Sequence, residues 1–117
     1  MRKSNIAIER CKTVSTLQRV LGGKWKIELL YYIGVCEVHR FGELRRHIGE
    51  ITESSLTKQL RELEADGFIN RYDYKELPPR VEYTLTDLGK SFLSVINYMK
   101  EWGDENLQNI ITTQDGE

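Results

Sequence analysis

Two neighbouring stretches that alternate between apolar and polar residues limit the fold of this chain more than any other feature. The stretches FINRYDYKE and VEYTLT are rich in Tyr, Ile, Val and Thr, which is typical of β-strands. The segment LPPR between them holds both prolines of the chain, and proline cannot donate a hydrogen bond within a sheet. The sequence therefore predicts a two-stranded hairpin over residues 68–86, with a stiff turn at Pro78 and Pro79.

Helical spacing of apolar residues covers most of the remaining chain. We expect four helices before the hairpin and one after it, over residues 13–21, 24–34, 40–50, 53–66 and 86–111. The residues expected to face inward are Ile27, Leu30 and Ile33 in the second helix and Leu56, Leu60 and Leu63 in the fourth. Thr52 is the expected N-cap of the fourth helix, and Gly67 is its expected C-cap.

The order of these elements is helix, helix, helix, helix, strand, strand, helix. Two short helices that are joined by a tight turn and followed directly by a hairpin are typical of a winged helix-turn-helix. The predicted fold is therefore mainly α with a small β-hairpin, an α+β class. We divide the chain into an N-terminal arm at 1–12, a winged helix-turn-helix domain with dimerisation helices at 13–112, and an acidic tail at 113–117.

Basic and acidic residues are unevenly distributed along the chain. It has 17 Lys and Arg against 18 Asp and Glu, yet residues 101–117 contain five of the acids and none of the bases. The first hundred residues therefore carry a small positive excess. This excess favours nucleic acid as a partner only weakly, since strong non-specific DNA-binding proteins are more basic.

The sequence carries no sign of membrane insertion or of catalysis. Its longest apolar run, residues 29–33, is far too short to cross a bilayer, and its N-terminal residues lack the apolar core of a signal peptide. No nucleophile–base–acid set, glycine-rich phosphate loop or metal-ligand spacing is present. We expect a cytoplasmic protein that is not an enzyme and that has no cofactor, metal or membrane partner.

The polar side of the 53–66 helix has the residue types that contact DNA. At about 100° per residue, Ser54, Lys58 and Arg61 project away from the leucine stripe. Ser55 and Thr57 flank them. Small hydroxyls permit close approach to a groove wall, while the two long cations can reach phosphates or guanine edges. The interpretation is a DNA-recognition helix, and the alternative is the solvated polar face that any surface helix shows.

The hairpin and the helix before the recognition helix supply further basic candidates. The paired prolines are expected to hold Arg80 away from the body, where an arginine suits the DNA minor groove. Lys75 belongs to the same hairpin. Arg45 and Arg46 lie on the preceding helix, which would cross the phosphate backbone. The alternative is a stiff turn with a solvated Arg80, beside an exposed arginine pair.

Apolar spacing in the last helix indicates a second subunit. A heptad seam with steps of 3-4-3-4-3 is formed by Leu85, Leu88, Phe92, Val95, Met99 and Trp102. So small a domain cannot obviously bury this surface, and a homodimer is the simplest cover. The residues expected at the interface are Val14, Leu17, Leu21, Val95, Met99, Trp102, Leu107 and Ile110. The alternative is that both terminal helices fold back on the chain's own core.

Two cysteines are too few for a disulfide scaffold and fit a reducing compartment. Cys11 lies between Arg10 and Lys12, just ahead of a helix N-terminus, and both surroundings favour the reactive thiolate. We therefore hypothesise that Cys11 senses oxidants or electrophiles, and an inert thiol is the alternative. Cys36 follows the apolar end of the second helix and is expected to be buried filler.

Four segments resemble the HxlR-type regulators, a MarR-related branch of winged helix-turn-helix proteins. They are LGGKWKIELLYYI, FGELRRHI, LTKQLRELEADGFINR and PPRVEYTLTDLGKSF, and the resemblance runs from about residue 14 to residue 103. It implies a bacterial or archaeal homodimer, joined through its terminal helices, that binds palindromic operator DNA. It also implies that the 53–66 helix enters the major groove and that the 68–86 hairpin is the wing.

The resemblance extends to effectors. Some HxlR-type proteins sense oxidants, quinones or aldehydes through a cysteine in the N-terminal segment, where Cys11 stands. Lys12 follows it here, in place of the proline that is frequent in the family. An oxidant or a small molecule is the effector that this implies.

Taken together, the sequence predicts a dimeric, sequence-specific DNA-binding transcriptional regulator. The alternative is a winged-helix module that makes only protein–protein contacts. Salt distinguishes the two, because DNA binding weakens steeply as counterions are released.

Overall fold

The computed structural model describes the backbone of residues 8–115 and the side chains as far as residue 112. Within this range the chain forms helices and one hairpin in the order α1 Lys12–Leu21, α2 Lys26–Gly34, α3 Phe41–Ile48, α4 Glu53–Ala65, β1 Ile69–Asp73, β2 Val81–Leu85, α5 Asp87–Ser91, α6 Leu93–Asn106 and α7 Gln108–Asp115. The mainly helical fold with a small hairpin is confirmed. Most of the expected arm, residues 1–7, lies outside the described residues, as do residues 116–117 of the expected acidic tail.

The core forms where α2, α3 and α4 meet. The leucine stripe of α4, Leu56, Leu60 and Leu63, is buried as predicted. Ile27 of α2 was expected to face inward and is instead exposed, so this prediction is wrong. Leu29 takes the inward position beside Leu30 and Ile33.

The predicted N-cap of α4 is confirmed, whereas the C-cap is Asp66 and the predicted Gly67 is the residue after it. The Thr52 hydroxyl accepts a hydrogen bond from the backbone N–H of Ser55 at 3.1 Å, which satisfies one of the donors left open at a helix start. Gly67 follows the helix with φ of +88°, a conformation that favours glycine. The next N–H, that of Phe68, returns to the carbonyl of Leu63 at 2.9 Å. This turn leads the chain directly from α4 into the hairpin.

The hairpin is antiparallel, with Ile69 opposite Leu85 and Arg71 opposite Tyr83. Ile69, Tyr83 and Leu85 are buried, so the face that they share is turned towards the helices. The other edge of β2 is fixed by the segment before α3, because the N–H of Tyr83 donates to the carbonyl of His39 at 2.9 Å.

A single hydroxyl joins both ends of the hairpin to the helices beside them. The Thr86 hydroxyl donates to the carbonyl oxygens of Gly67 at 2.6 Å and Phe68 at 3.2 Å. The same oxygen accepts from the N–H of Gly89 at 3.0 Å and so caps α5. The predicted helix start at Thr86 or Asp87 is confirmed.

The single long helix expected after the hairpin is wrong, since three helices occupy that stretch. Leu85 of the proposed heptad seam belongs to β2. The first break is at Phe92, whose ring packs edge-on against Phe68 with a centroid distance of 6.5 Å. The second is at Leu107. There the side chains of Asn106 and Gln108 donate to backbone carbonyls at 2.9 and 3.0 Å, a local bonding pattern that competes with helical geometry.

The resulting molecule is elongated. Its principal extents are 65 × 36 × 26 Å. The radius of gyration is 17.3 Å, against about 13 Å for a compact chain of this length. The α7 helix contacts α6, the helix before it.

Candidate nucleic-acid interface

The outward side of α4 lines an open groove of about 720 Å³. Its lining residues are Phe41, Glu53, Ser54, Thr57, Lys58, Arg61 and Glu62. Four residues of the predicted recognition surface therefore share one groove. Ser55, the fifth, is half-buried in the first turn of α4, outside this lining.

The cations of this groove are not paired with its carboxylates and can therefore contact a ligand. Lys58 and Arg61 are exposed and form no ion pair within 4 Å with any side chain in the described part of the chain. Glu62 forms an ion pair with Lys26 of α2, whose Nζ lies 2.7 Å from the carboxylate. The hydrogen bond from Lys26 lowers the pKa of Glu62, so this carboxylate is ionised and compensated.

Arg45 and Arg46 of α3 have different surroundings. The Nε of Arg45 donates to the carbonyl of Ile51 at 3.3 Å, and its guanidinium lies 3.9 Å from Glu53. Arg45 thus supports the turn between α3 and α4. Arg46 is exposed and lies outside the groove lining, so its contact with DNA stays a prediction.

The expectation that Arg80 is held away from the body is wrong. Its Nε donates to Glu82 at 3.2 Å, a second nitrogen lies 3.7 Å from Glu76, and the guanidinium lies 3.8 Å from the centre of the Tyr74 ring. The paired prolines form an exposed turn, but the side chain after them folds back along the hairpin because two carboxylates and an aromatic face are within its reach.

Glu82 is the centre of this cluster. It also accepts from the Tyr74 hydroxyl at 3.1 Å and lies 3.9 Å from Arg40. Burial opposes ionisation of Glu82, but the hydrogen bonds from Tyr74 and Arg80 outweigh it and lower the pKa of this carboxyl. The cluster therefore stiffens the outer face of the wing.

Lys75, the other predicted wing contact, is exposed in the hairpin turn. It has φ of +58°, and its N–H donates to a carboxylate oxygen of Asp73 at 2.9 Å. Its side chain does not line the groove along α4.

Sequence reasoning missed Arg71, which lies on β1 facing α4. A second groove of about 560 Å³ runs between α4 and the hairpin. It is lined by Phe41, Thr57, Arg61, Glu64, Arg71, Val81 and Tyr83. The sequence could have indicated this position, because side chains two residues apart on a strand share a face and Arg71 is two residues after the buried Ile69.

An apolar groove of about 350 Å³ lies on another side, where α1, α2 and α6 meet. It is lined by Leu17, Gln18, Leu21, Gly22, Ile27, Phe92, Val95 and Met99. Among the predicted interface residues, Val14, Leu17, Val95, Met99, Trp102 and Ile110 are exposed, and Leu107 is half-buried. Leu21 differs, since it is mostly buried in the chain's own core.

Both cysteines are free thiols and both are exposed. Cys11 immediately precedes α1, as predicted. The expectation that Cys36 is buried filler is wrong, because α2 ends at Gly34 and the chain after it lies at the surface. Across the described residues, His, Cys, Asp and Glu form no group of three that could hold a metal ion. No helix in the same range has the length and apolar character needed to cross a bilayer.

A capped helix that presents hydroxyls and unpaired cations beside a two-stranded wing defines the winged helix-turn-helix class of regulators. The chain belongs to the HxlR-like helix-turn-helix family, whose sequence profile matches residues 20–111. It is a transcriptional regulator of this type, as its named relatives are.

Three of these relatives show the extent of the similarity. YdeP, an HTH-type transcriptional regulator of Bacillus subtilis, is 47% identical over 97 residues, which are 83% of this chain and 74% of that protein. An HTH-type transcriptional regulator of Methanothermobacter thermautotrophicus is 48% identical over 83 residues, or 71% and 63% of the two chains. The structure of the redox regulator HypR in its reduced form has a TM-score of 0.77 and 41% identity, over 86% of this chain and 99% of that one.

Proposed function

We propose that the protein is a cytoplasmic homodimer that binds double-stranded operator DNA in a sequence-specific manner and catalyses no reaction. The observation that carries this proposal is the groove along α4, where Ser54, Thr57, Lys58 and Arg61 lie together. Short hydroxyls beside long, unpaired cations suit the edge of a base pair and the neighbouring phosphates. In this proposal α4 enters the major groove and the hairpin contacts the adjacent minor groove.

The homodimer follows from the geometry of operators. Two copies of α4 related by a two-fold axis would meet half-sites about 34 Å apart, one turn of the duplex. The exposed apolar side chains of α1 and α6 support this assembly, since a monomer would leave them in water.

The effector of the proposed regulator is an oxidant, an electrophile or another small molecule. Cys11 is exposed ahead of α1, and the relative HypR is named a redox regulator. Diamide should change the DNA affinity of the reduced wild-type dimer and leave a Cys11→Ser variant unaffected. An equal response of the two proteins would reject sensing through Cys11.

Binding of selected duplexes over a series of salt concentrations tests the central proposal. Duplexes are first enriched from a random pool by the purified wild-type protein. Their affinity should then fall steeply with salt, and Lys58→Ala or Arg61→Ala should weaken binding by about 1–3 kcal/mol where a base edge is contacted. A Lys90→Ala variant removes one positive charge outside both grooves beside α4 and should bind nearly as wild type.

The same assay separates the alternative function. A winged-helix module used only for protein–protein contacts would enrich no duplex and would show no binding even in dilute buffer. That result for the folded wild-type protein would overturn the proposed function.

A further inference from the structure

We propose that Arg71 is the wing residue that holds the operator, and that with Arg61 it binds one backbone phosphate in the cleft between α4 and the hairpin. This inference rests on the proposed function and assigns a contact within it. The cleft, about 560 Å³, takes Arg61 from one wall and Arg71 from the other. Phe41 and Tyr83 complete it with apolar surface.

The register of the hairpin decides which arginine faces α4. Side chains of a strand alternate between its faces, and Arg71 shares a face with its partner Tyr83 and with the buried Ile69. Arg80 belongs to the opposite face, because the N–H of Tyr74 donates to its carbonyl and Tyr74 and Glu82 surround its guanidinium. The two arginines of the wing therefore point away from each other.

The charges distinguish the two arginines further. Arg80 is engaged by Glu76 and Glu82, whereas Arg71 forms no ion pair within 4 Å with any described side chain. One carboxylate, that of Glu64, also lines the cleft and is not paired with either arginine there. Asp73, the next residue on the same face of β1, accepts from the N–H of Lys75 in the turn. Two guanidinium groups thus face a single open carboxylate.

The chemistry of this pair fits a phosphate held at a fixed place. Each guanidinium offers parallel N–H donors that match two phosphate oxygens. The two arginines come from elements whose spacing is set by the turn between them, where the Phe68 N–H donates to the Leu63 carbonyl. The contact would therefore set the position of the wing on the duplex without reading bases.

The role left to Arg80 is to position the wing. Its contacts to Glu76, Glu82 and the Tyr74 ring tie the turn to β2 and to the residue that follows β1. Its removal should loosen the hairpin rather than delete a DNA contact.

Salt titrations of single variants test this division. Arg71→Ala in the full chain should weaken binding to every duplex about equally, roughly tenfold, and should lower the slope of log affinity against log salt by about 1. Arg71→Lys should recover most of the slope, since it retains the charge. Arg80→Ala should keep the wild-type slope and lower the urea midpoint instead.

Each result has a defined meaning. An Arg71→Ala variant with an unchanged urea midpoint and a wild-type salt slope would overturn the inference and leave the proposed function intact, because the wild-type protein would still bind. A loss of slope in Arg80→Ala with none in Arg71→Ala would reverse the assignment. Failure of the wild-type protein to bind any duplex would reject both proposals.

Discussion

Lys26 lies at the start of α2 with 4% of its surface exposed, and its Nζ is 2.7 Å from a carboxylate oxygen of Glu62 on α4. A buried ammonium without a partner would be costly, so Glu62 compensates it and at the same time ties α4 to α2. Glu62 remains partly exposed, at 40% of its side chain. The pair therefore links the core to the groove along α4.

This pair predicts how stability depends on pH. The hydrogen bond from Lys26 lowers the pKa of Glu62 in the folded protein. A carboxyl with a depressed pKa stabilises the native state above its unfolded pKa, and that contribution is lost as the pH falls through the folded pKa. The urea midpoint of the wild-type protein should fall on acidification below about pH 4.5, and Glu62→Gln should reduce this fall.

Glu64→Gln is the matched control, because Glu64 is exposed on the same helix and has no ion pair within 4 Å among the described side chains. It should follow the wild-type curve over the same pH range. Parallel curves for the wild-type protein and Glu62→Gln would show that the Lys26 pair does not contribute to acid sensitivity.

At the scale of single residues, the sequence predicts the leucine stripe of α4. It predicts neither the ion pair of Lys26 with Glu62 nor the contacts of Arg80 within the hairpin. The burial of Leu56, Leu60 and Leu63 follows from their spacing alone, because an apolar stripe on one side of a helix packs against the core. Lys26 pairs with Glu62, which is far away in sequence, and Arg80 contacts the Tyr74 ring across the turn, so these contacts exist only once the chain is folded.

Gly89 marks a close approach between two elements, α5 and the start of the hairpin. A Cβ placed on Gly89 would be 2.3 Å from the backbone carbonyl oxygen of Phe68 and 3.3 Å from Leu85. A backbone atom cannot move aside as the end of a side chain can. The position therefore depends on the lack of a side chain.

Gly89→Ala should destabilise the fold by about 1–3 kcal/mol, because overpacking forces the hairpin and α5 apart. Gly103 in α6 is the control. A Cβ there would meet only Leu107 at 3.8 Å, an ordinary contact. Gly103→Ala should be neutral or stabilising by up to about 1 kcal/mol, since alanine favours helix. Equal urea midpoints for the two variants would contradict the close approach.

The sequence predicts the hairpin and the caps, while the breaks in the C-terminal helices escape it. Thr52 and Thr86 act through local side-chain hydrogen bonds that their residue type favours, and Gly67 acts through its positive φ. Apolar spacing, in contrast, continues unbroken through Phe92 and Leu107, and the breaks depend on tertiary packing and on competing side-chain bonds.

The elongated shape and the apolar face belong together. Trp102 of α6 is 51% exposed and Ile110 of α7 is 57% exposed. A chain this extended buries less apolar surface than a compact one of equal length. A second copy would cover the face and restore that burial.

Val95→Asp should convert the proposed dimer into a monomer, because it places a charge in the apolar groove beside Met99. Sedimentation or light scattering at micromolar concentration measures the mass directly. Asn97→Asp adds the same charge about 200° away around α6 and should leave the dimer intact. A wild-type monomer, or a Val95→Asp dimer, would remove α6 from the interface.

At the scale of the whole molecule, the sequence predicts the class of protein correctly. It does not predict which side chains of the hairpin face α4. Helix order, hairpin and apolar spacing together indicate a winged helix-turn-helix regulator, and the family match agrees. Whether Arg71 or Arg80 lies beside α4 depends on the register of the hairpin. The alternation of side chains along β1 gives the answer only once its buried face is known.

The Thr86 hydroxyl has a mechanical consequence. It bonds the end of α4, through Gly67, to the start of the hairpin at Phe68 and to the first turn of α5. One oxygen atom therefore connects the end of α4, the start of the hairpin and α5. A rotation of α5 relative to the hairpin would break these bonds unless the end of α4 and the start of the hairpin moved with it.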